Sequence, residues 1–325
     1  MPHRLSRPLL PLLAGLALTF VGCTRATDPW AGTPPGQKKI IASFAPLYCF
    51  AANVAGDKAR VACLLTGTGP HDYDANDSDA AKVGGADIFL LNGFDLDENF
   101  AAKLVRRKDR PLRIEIGEKI PHDLVLHAAA EEKHDENVPH HHHHGDHDPH
   151  LWLGLPQARA MVEVIAKVLG DEDKANAETF KTNAKNYNEE LTKLEEHGKK
   201  AFEPKKNRAF IATHDSLHYF AKTFDLDFED SITPVPNMDA DANQLTKLVE
   251  LCKAKKIGVL AIEPKYSRNQ AERLAKAVRN AGVDIKIIEI DPMETCIPGP
   301  DGNPSPKLYL KRMKKNIDDL ASALP

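Results

Sequence analysis

The chain is 325 residues long, and 43 Lys and Arg balance 47 Asp and Glu to a net charge of −4. A charge this near zero, with no basic patch interleaved with aromatics, excludes a nucleic-acid binder. The length suffices for two lobes, each with its own core.

The chain opens with Arg4 and Arg7, then an apolar stretch over 9–21 that Pro11 breaks. It is too short for a membrane span and reads as a secretory signal over 1–22. Phe20-Val21-Gly22-Cys23 resembles a bacterial lipobox, so Cys23 is the expected lipidation site and mature N-terminus. Residues 23–38, with Pro29, Pro34 and Pro35, read as a lipid-anchored linker. Localisation is therefore expected outside the cytoplasm, in the periplasm or at the cell surface, tethered to a membrane.

Short β-rich runs then alternate with helical patterns. Strands are expected at 40–43, 60–65, 86–92 and 112–116, and again at 209–213, 258–262 and 285–290. Helices are expected over 46–55, 157–169, 241–254 and 268–281. This alternation predicts an α/β fold of two lobes with parallel sheets, 39–172 and 203–325. Between them, Phe180, Ala184, Tyr187, Leu191 and Leu194 recur at helical spacing. They predict one long rigid helix over 173–202, roughly 40 Å long, joining the lobes.

Cys49, Cys63, Cys252 and Cys296 remain besides Cys23, an even number in an exported chain, which makes disulfides possible. Four cysteines allow three connectivities. The local pairs, Cys49 with Cys63 and Cys252 with Cys296, keep each bridge within one half. A buried free thiol is the alternative for Cys252.

Histidine is concentrated in one segment. Residues 122–148 carry His134, the run His140, His141, His142, His143 and His144, and His147, with acidic residues between. This low-complexity stretch reads as a mobile, auxiliary metal-collecting loop.

Four residues stand where parallel αβ sheets bind ligands, at or near the carboxyl ends of strands and at a helix mouth. They are His71, His150, His214 and Asp291. Three imidazoles and a carboxylate form a tetrahedral shell that suits Zn2+ better than manganese or magnesium. The expected site lies in the cleft between lobes, with no catalytic role. An exported metallohydrolase would need an open coordination position and a general base, such as Glu263 or Asp215, and no HExxH-type motif occurs. A zinc store or metallochaperone using mainly the His-rich loop is the other rival.

The ordered series Phe44-Ala45-Pro46-Leu47-Tyr48, Pro70-His71-Asp72-Tyr73, Asp148-Pro149-His150-Leu151-Trp152, Thr213-His214-Asp215, Ile262-Glu263-Pro264 and Ile290-Asp291-Pro292 resembles a known family. It is similar to the metal-specific substrate-binding proteins of ABC importers, cluster A-I, in the zinc branch. The resemblance implies a monomer that delivers metal to a membrane permease, with His71, His150 and His214 as ligands. Manganese-type members usually carry Glu at the third position, so His214 points to zinc, with manganese as the alternative. In many members Asp291's position is the fourth ligand, though water or another carboxylate can replace it. Asp74-Ala75 and His218 depart from the family pattern; His218, one helical turn from His214, reads as a surface residue, with a spare ligand as the alternative.

Overall fold

The computed structural model describes residues 28–105, 110–127, 146–234, 238, 240–265 and 267–325. The signal segment, Cys23, and His134 with His140, His141, His142, His143 and His144 lie outside the described residues.

The first lobe is a four-stranded parallel sheet. It contains β1 (Lys38–Ala42), β2 (Ala59–Cys63), β3 (Ile88–Leu91) and β4 (Leu112–Glu115), in the order β2-β1-β3-β4. The crossover helices are α1 (Ala45–Ala55), α2 (Asp77–Gly84) and α3 (Glu98–Leu104). Ile40, Ile41 and Ala42 of β1 are all fully buried. Such continuous apolar runs are what a strand covered on both faces requires.

Next come α4 (Leu155–Glu172) and α5 (Ala177–Phe202). The buried stripe of α5 is the expected one: Phe180, Ala184, Tyr187, Leu191 and Leu194. The helix starts a few residues later than the stripe alone predicts, because α4 runs to Glu172 and a 3₁₀ turn, Lys174–Asn176, separates the two. Gly198 has a packing reason: a Cβ there would stand 2.3 Å from the Phe224 ring.

The second lobe repeats the design with β5 (Ala209–His214), β6 (Asp227–Thr233), β7 (Val259–Ile262) and β8 (Lys286–Glu289), ordered β6-β5-β7-β8 and all parallel. Its helices are α6 (His218–Phe224), α7 (Ala242–Lys255) and α8 (Arg268–Asn280). After β8 the chain leaves the sheet, crosses to the first lobe and ends in α9 (Leu308–Ala323). That helix packs on α5 and α1, where Tyr309 meets Phe50 edge to face at 4.7 Å. α5 and α9 thus bind the lobes into one continuous core.

The four described cysteines are buried free thiols, so neither expected local bridge is present. Cys252 belongs to a separate core under α7, whereas Cys296 sits on the crossing segment, its N–H bonded to Thr66 O at 2.7 Å. The Cys63 thiol instead meets Leu65 O at 3.1 Å, and the Cys49 thiol meets Ser305 O at 3.6 Å. Burial pushes the Cys49 thiol up to about 12 and those of Cys252 and Cys296 up to about 11.

Candidate metal centre

Four side chains from distant parts of the chain converge between the sheets. Ligand atoms of His71, His150, His214 and Glu294 all lie within 4.8 Å of one another.

Local structure explains each placement. His71 sits in a 3₁₀ turn, Pro70–Asp72, after the β2 end, with Pro70 at its first position, where a missing N–H costs nothing. Gly69 before it lies against Glu294: a Cβ there would stand 3.0 Å from Oε2. His150 precedes the turn Leu151–Leu153. Asp148 Oδ1 accepts from the His150 backbone N–H at 2.9 Å and lies 2.8 Å from its Nδ1. Tyr219 holds the Asp148 backbone by donating to its carbonyl at 2.9 Å. His214 is the last residue of β5, and its Nδ1 lies 2.8 Å from Glu263 Oε1, just past β7. A carboxylate accepting from Nδ1–H leaves Nε2 as the free lone pair, the usual way a metal-binding imidazole is aimed.

The fourth position differs from expectation. Asp291 does not join the cluster. Its Oδ2 is held by Arg312 at 2.6 Å, and its Oδ1 accepts the Met293 N–H at 2.8 Å. Asn316 brackets the same residue, accepting from its N–H and donating to its carbonyl. This pinned turn, with Met293 in the left-handed region at φ +65, swings Glu294 inward. The sequence signal was present: a second carboxylate stands three residues beyond Asp291.

The distances suit a small tetrahedral cation. Zinc bonds of about 2.0–2.1 Å put ligand atoms about 3.3 Å apart along each edge of the tetrahedron. His150 Nε2 and His71 Nε2 are 3.4 Å apart. Glu294 Oε1 is 3.5 Å from His71 Nε2 and 3.8 Å from His150 Nε2. The buried His214 Nε2 has no hydrogen-bond partner among the described residues. A buried nitrogen left this way is costly unless something fills the site.

Electrostatics tell the same story. Burial pulls His214 down to about 4, against the opposing pull of Glu294. Burial would raise Glu294, but the surrounding His71, His214 and His150 outweigh it and hold the carboxyl down at about 2. Burial, reinforced by Glu294, pushes Glu263 well above its ordinary value. An unprotonated His214 and an ionised Glu294 are the forms in which these two groups can bind a divalent metal.

Of the auxiliary histidines, His147 alone falls among the described residues. It stacks on His127 at 5.1 Å and meets Phe94 in a tilted contact at 5.0 Å. Beside it is a polar cavity of about 130 Å³ lined by Asp95, Glu98, Glu118 and Asp146. His218 is not in the cluster; its Nε2 lies 2.9 Å from Asp215 Oδ1, and its ring packs against Phe228.

Two parallel αβ lobes tied by a long helix bring together three imidazoles and a carboxylate, a donor set that fits a metal ion. The chain belongs to the ZnuA family, zinc-uptake complex component A, periplasmic, which matches residues 40–323. It is 29% identical over 311 residues to the zinc-binding lipoprotein AdcA of Streptococcus pneumoniae, covering 95% of this chain but only 59% of that relative. The manganese-binding lipoprotein MntA of Halalkalibacterium halodurans is 26% identical over 312 residues, 95% of each chain. In fold it matches the periplasmic zinc binding protein TroA from Treponema pallidum with a TM-score of 0.72 at 21% identity, over 89% of this chain and 98% of that one.

Proposed function

We propose that this protein captures zinc outside the cytoplasm and hands it to the permease of a metal ABC importer. The observation that carries the reading is the buried cluster of three imidazoles and one carboxylate. His71, His150, His214 and Glu294 are the ligands, with Asp148 and Glu263 as their outer partners. Imidazole nitrogens outnumber oxygens, which favours zinc over manganese. Four protein ligands close the shell, leaving no position for an activated water, so binding and release rather than hydrolysis is the chemistry. The His-rich segment acts as an auxiliary collector that raises the local zinc concentration, and the Cys23 lipid keeps the protein at the membrane.

A manganese-specific role is the second reading, favoured by the similarity to MntA. Competitive titration of the mature protein with zinc and manganese separates the two, wild type against His71→Ala plus His214→Ala. One tight zinc-preferring site should vanish in the double variant while weak loop sites persist. Tight binding that survives would move the metal to the His-rich segment, and a preference for manganese would establish the second reading.

A further inference from the structure

The three imidazoles of the cluster stand on unlike backbone. His214 ends a strand and keeps its ladder partner Thr233, and His71 lies within a 3₁₀ turn. His150 is instead the central residue of a three-residue turn, φ −79 and ψ 39, closed by the Leu151 N–H on Pro149 O at 2.8 Å. Buried carbonyls on such irregular backbone must find their partners elsewhere. Here they come from both lobes. Asn92, just past β3, donates from Nδ2 to Pro149 O at 2.8 Å and to Gly93 O at 3.1 Å. Its own backbone is fixed by Asp97, which accepts the Asn92 and Gly93 N–H groups at 2.7 and 3.1 Å and the Ser43 hydroxyl at 2.6 Å. From the second lobe, Tyr219 on α6 donates to Asp148 O at 2.9 Å, while its oxygen accepts the Leu126 N–H at 2.9 Å. Asn92 and Tyr219 are both fully buried. The buried Oδ1 of Asn92 has no partner among the described residues, so its amide serves these carbonyls alone, at a desolvation cost.

Two successive carbonyls ahead of one imidazole are thus held from opposite lobes. We propose that Asn92 and Tyr219 are positioning residues that clamp the Asp148–Pro149 backbone and so aim His150 at the metal. The inference deepens the metal-capture reading above and rests on it. With both sides held, Asp148 Oδ1 keeps its place against the His150 N–H and Nδ1, and the ring stays in the cluster. With either side released, the turn is free to rotate and the shell loses a nitrogen. Because each lobe supplies one side of the clamp, His150 is the imidazole most sensitive to how the lobes sit against each other.

The test compares Tyr219→Phe, Asn92→Ala and the double variant with Asn183→Ala, which removes a similar bond between α5 and α1, Asn183 Nδ2 to Val54 O at 3.0 Å. Zinc affinity is read by chelator competition, and amide exchange over 148–153 is followed in the metal-free proteins. Each single clamp variant should lose about 10–100-fold in affinity and exchange faster over 148–153. The double variant should stay within about threefold of the weaker single, because one release already frees the turn. Cobalt-loaded clamp variants should also lose the strong visible absorption of a tetrahedral ion. Asn183→Ala should match wild type in all three readouts. Wild-type affinity and exchange in Tyr219→Phe would overturn the clamp and leave the metal reading standing. So would losses that multiply in the double variant, or an equal loss in Asn183→Ala. Tyr219→Phe keeps its ring in the core and carries the test alone if Asn92→Ala does not fold. A wild type that binds zinc only weakly, with exchange still quickened by Tyr219→Phe, would remove the metal reading and with it the role of the clamp.

Discussion

The two lobes have the same four-stranded order, yet they are not built alike. In the first lobe both faces of the sheet belong to one large core, which continues through α4, α5 and α9. In the second lobe alternate residues of the same strands enter different cores. Phe210, Ala212, Val259 and Ala261 face the large shared core. Ala209, Ile211, Leu260 and Ile262 face a separate core roofed by α7 and α8. Period-two alternation is all this requires. The inner face of the second lobe is therefore part of the first lobe's interior, and its outer layer is the semi-independent part. The four clustered side chains follow the same division. The first lobe supplies His71 and His150 from turns, and the second supplies His214 from a strand end and Glu294 from the segment that crosses back. A molecule fused along its inner faces has little room for wide hinge closure, which leaves small shifts of turns and of the crossing segment as the motion open to it.

The sharpest way to probe that division is at the crossing segment, where two carboxylates compete for one role. Glu294→Ala removes a group in the cluster and should lower zinc affinity by more than about 100-fold, beyond the range for an outer partner. Asp291→Asn removes only the Arg312 pair and part of the turn that aims Glu294, so its loss should stay within about 10–100-fold. Titration of both variants with a competing chelator decides it; the reverse order would return Asp291 to the metal.

The separation of cores gives a second contrast, in stability. Leu248 and Trp152 are both fully buried, one in each core. Trp152→Ala should cost about 3–5 kcal/mol and Leu248→Ala about 2–5 kcal/mol. Only the first should also weaken zinc binding. Trp152 follows His150 by two residues, packs on Phe44 at 4.7 Å and ties down Pro292. Denaturant melts paired with zinc titration check this. An equal loss of affinity in Leu248→Ala would mean that the outer layer supports the site as much as the inner one.

Much of this design was legible in the sequence, and the exceptions have physical causes. The α5 stripe was visible because a long one-sided helix repeats its apolar spacing several times. The three histidines were visible because each stands at the end of a strand or at a helix mouth, where an open sheet presents ligands. Strand β6 was not anticipated: Asp227-Phe228-Glu229-Asp230 carries three acidic residues, which strands disfavour, and only its place at the sheet edge accommodates them. Glu294 was passed over for Asp291 because the nearer residue sits at the strand end; nothing local reveals that Arg312, from α9, occupies it. The cysteine pairs failed for a similar reason. Pairing by nearness in sequence took no account of the chain crossing back after β8, which carries Cys296 away from Cys252 and onto the first lobe.

The smallest effect expected is acid sensitivity of the metal-free protein, and it bears on which side of the site yields first. Burial holds His214 at about 4 in the folded state, against about 6.5 for an unfolded histidine. As pH falls from 6.5 toward 4, the unfolded chain takes up a proton that the folded His214 refuses. Stability is therefore lost on acidification in that window, with a limiting slope of about 1.4 kcal/mol per pH unit. Glu294, held at about 2, acts lower: its contribution is present above the ordinary carboxylate range and fades as pH falls through about 2. Between pH 7 and pH 5 the loss thus belongs to histidine and not to the carboxylate. Denaturant midpoints of metal-free wild type and His214→Gln at pH 7 and pH 5 test the assignment. The variant should show the smaller acid loss, since its side chain takes up no proton in either state. An equal loss in both would place the acid-sensitive group elsewhere and leave the strand-end histidine of the second lobe as tolerant of acid as the rest of the shared core.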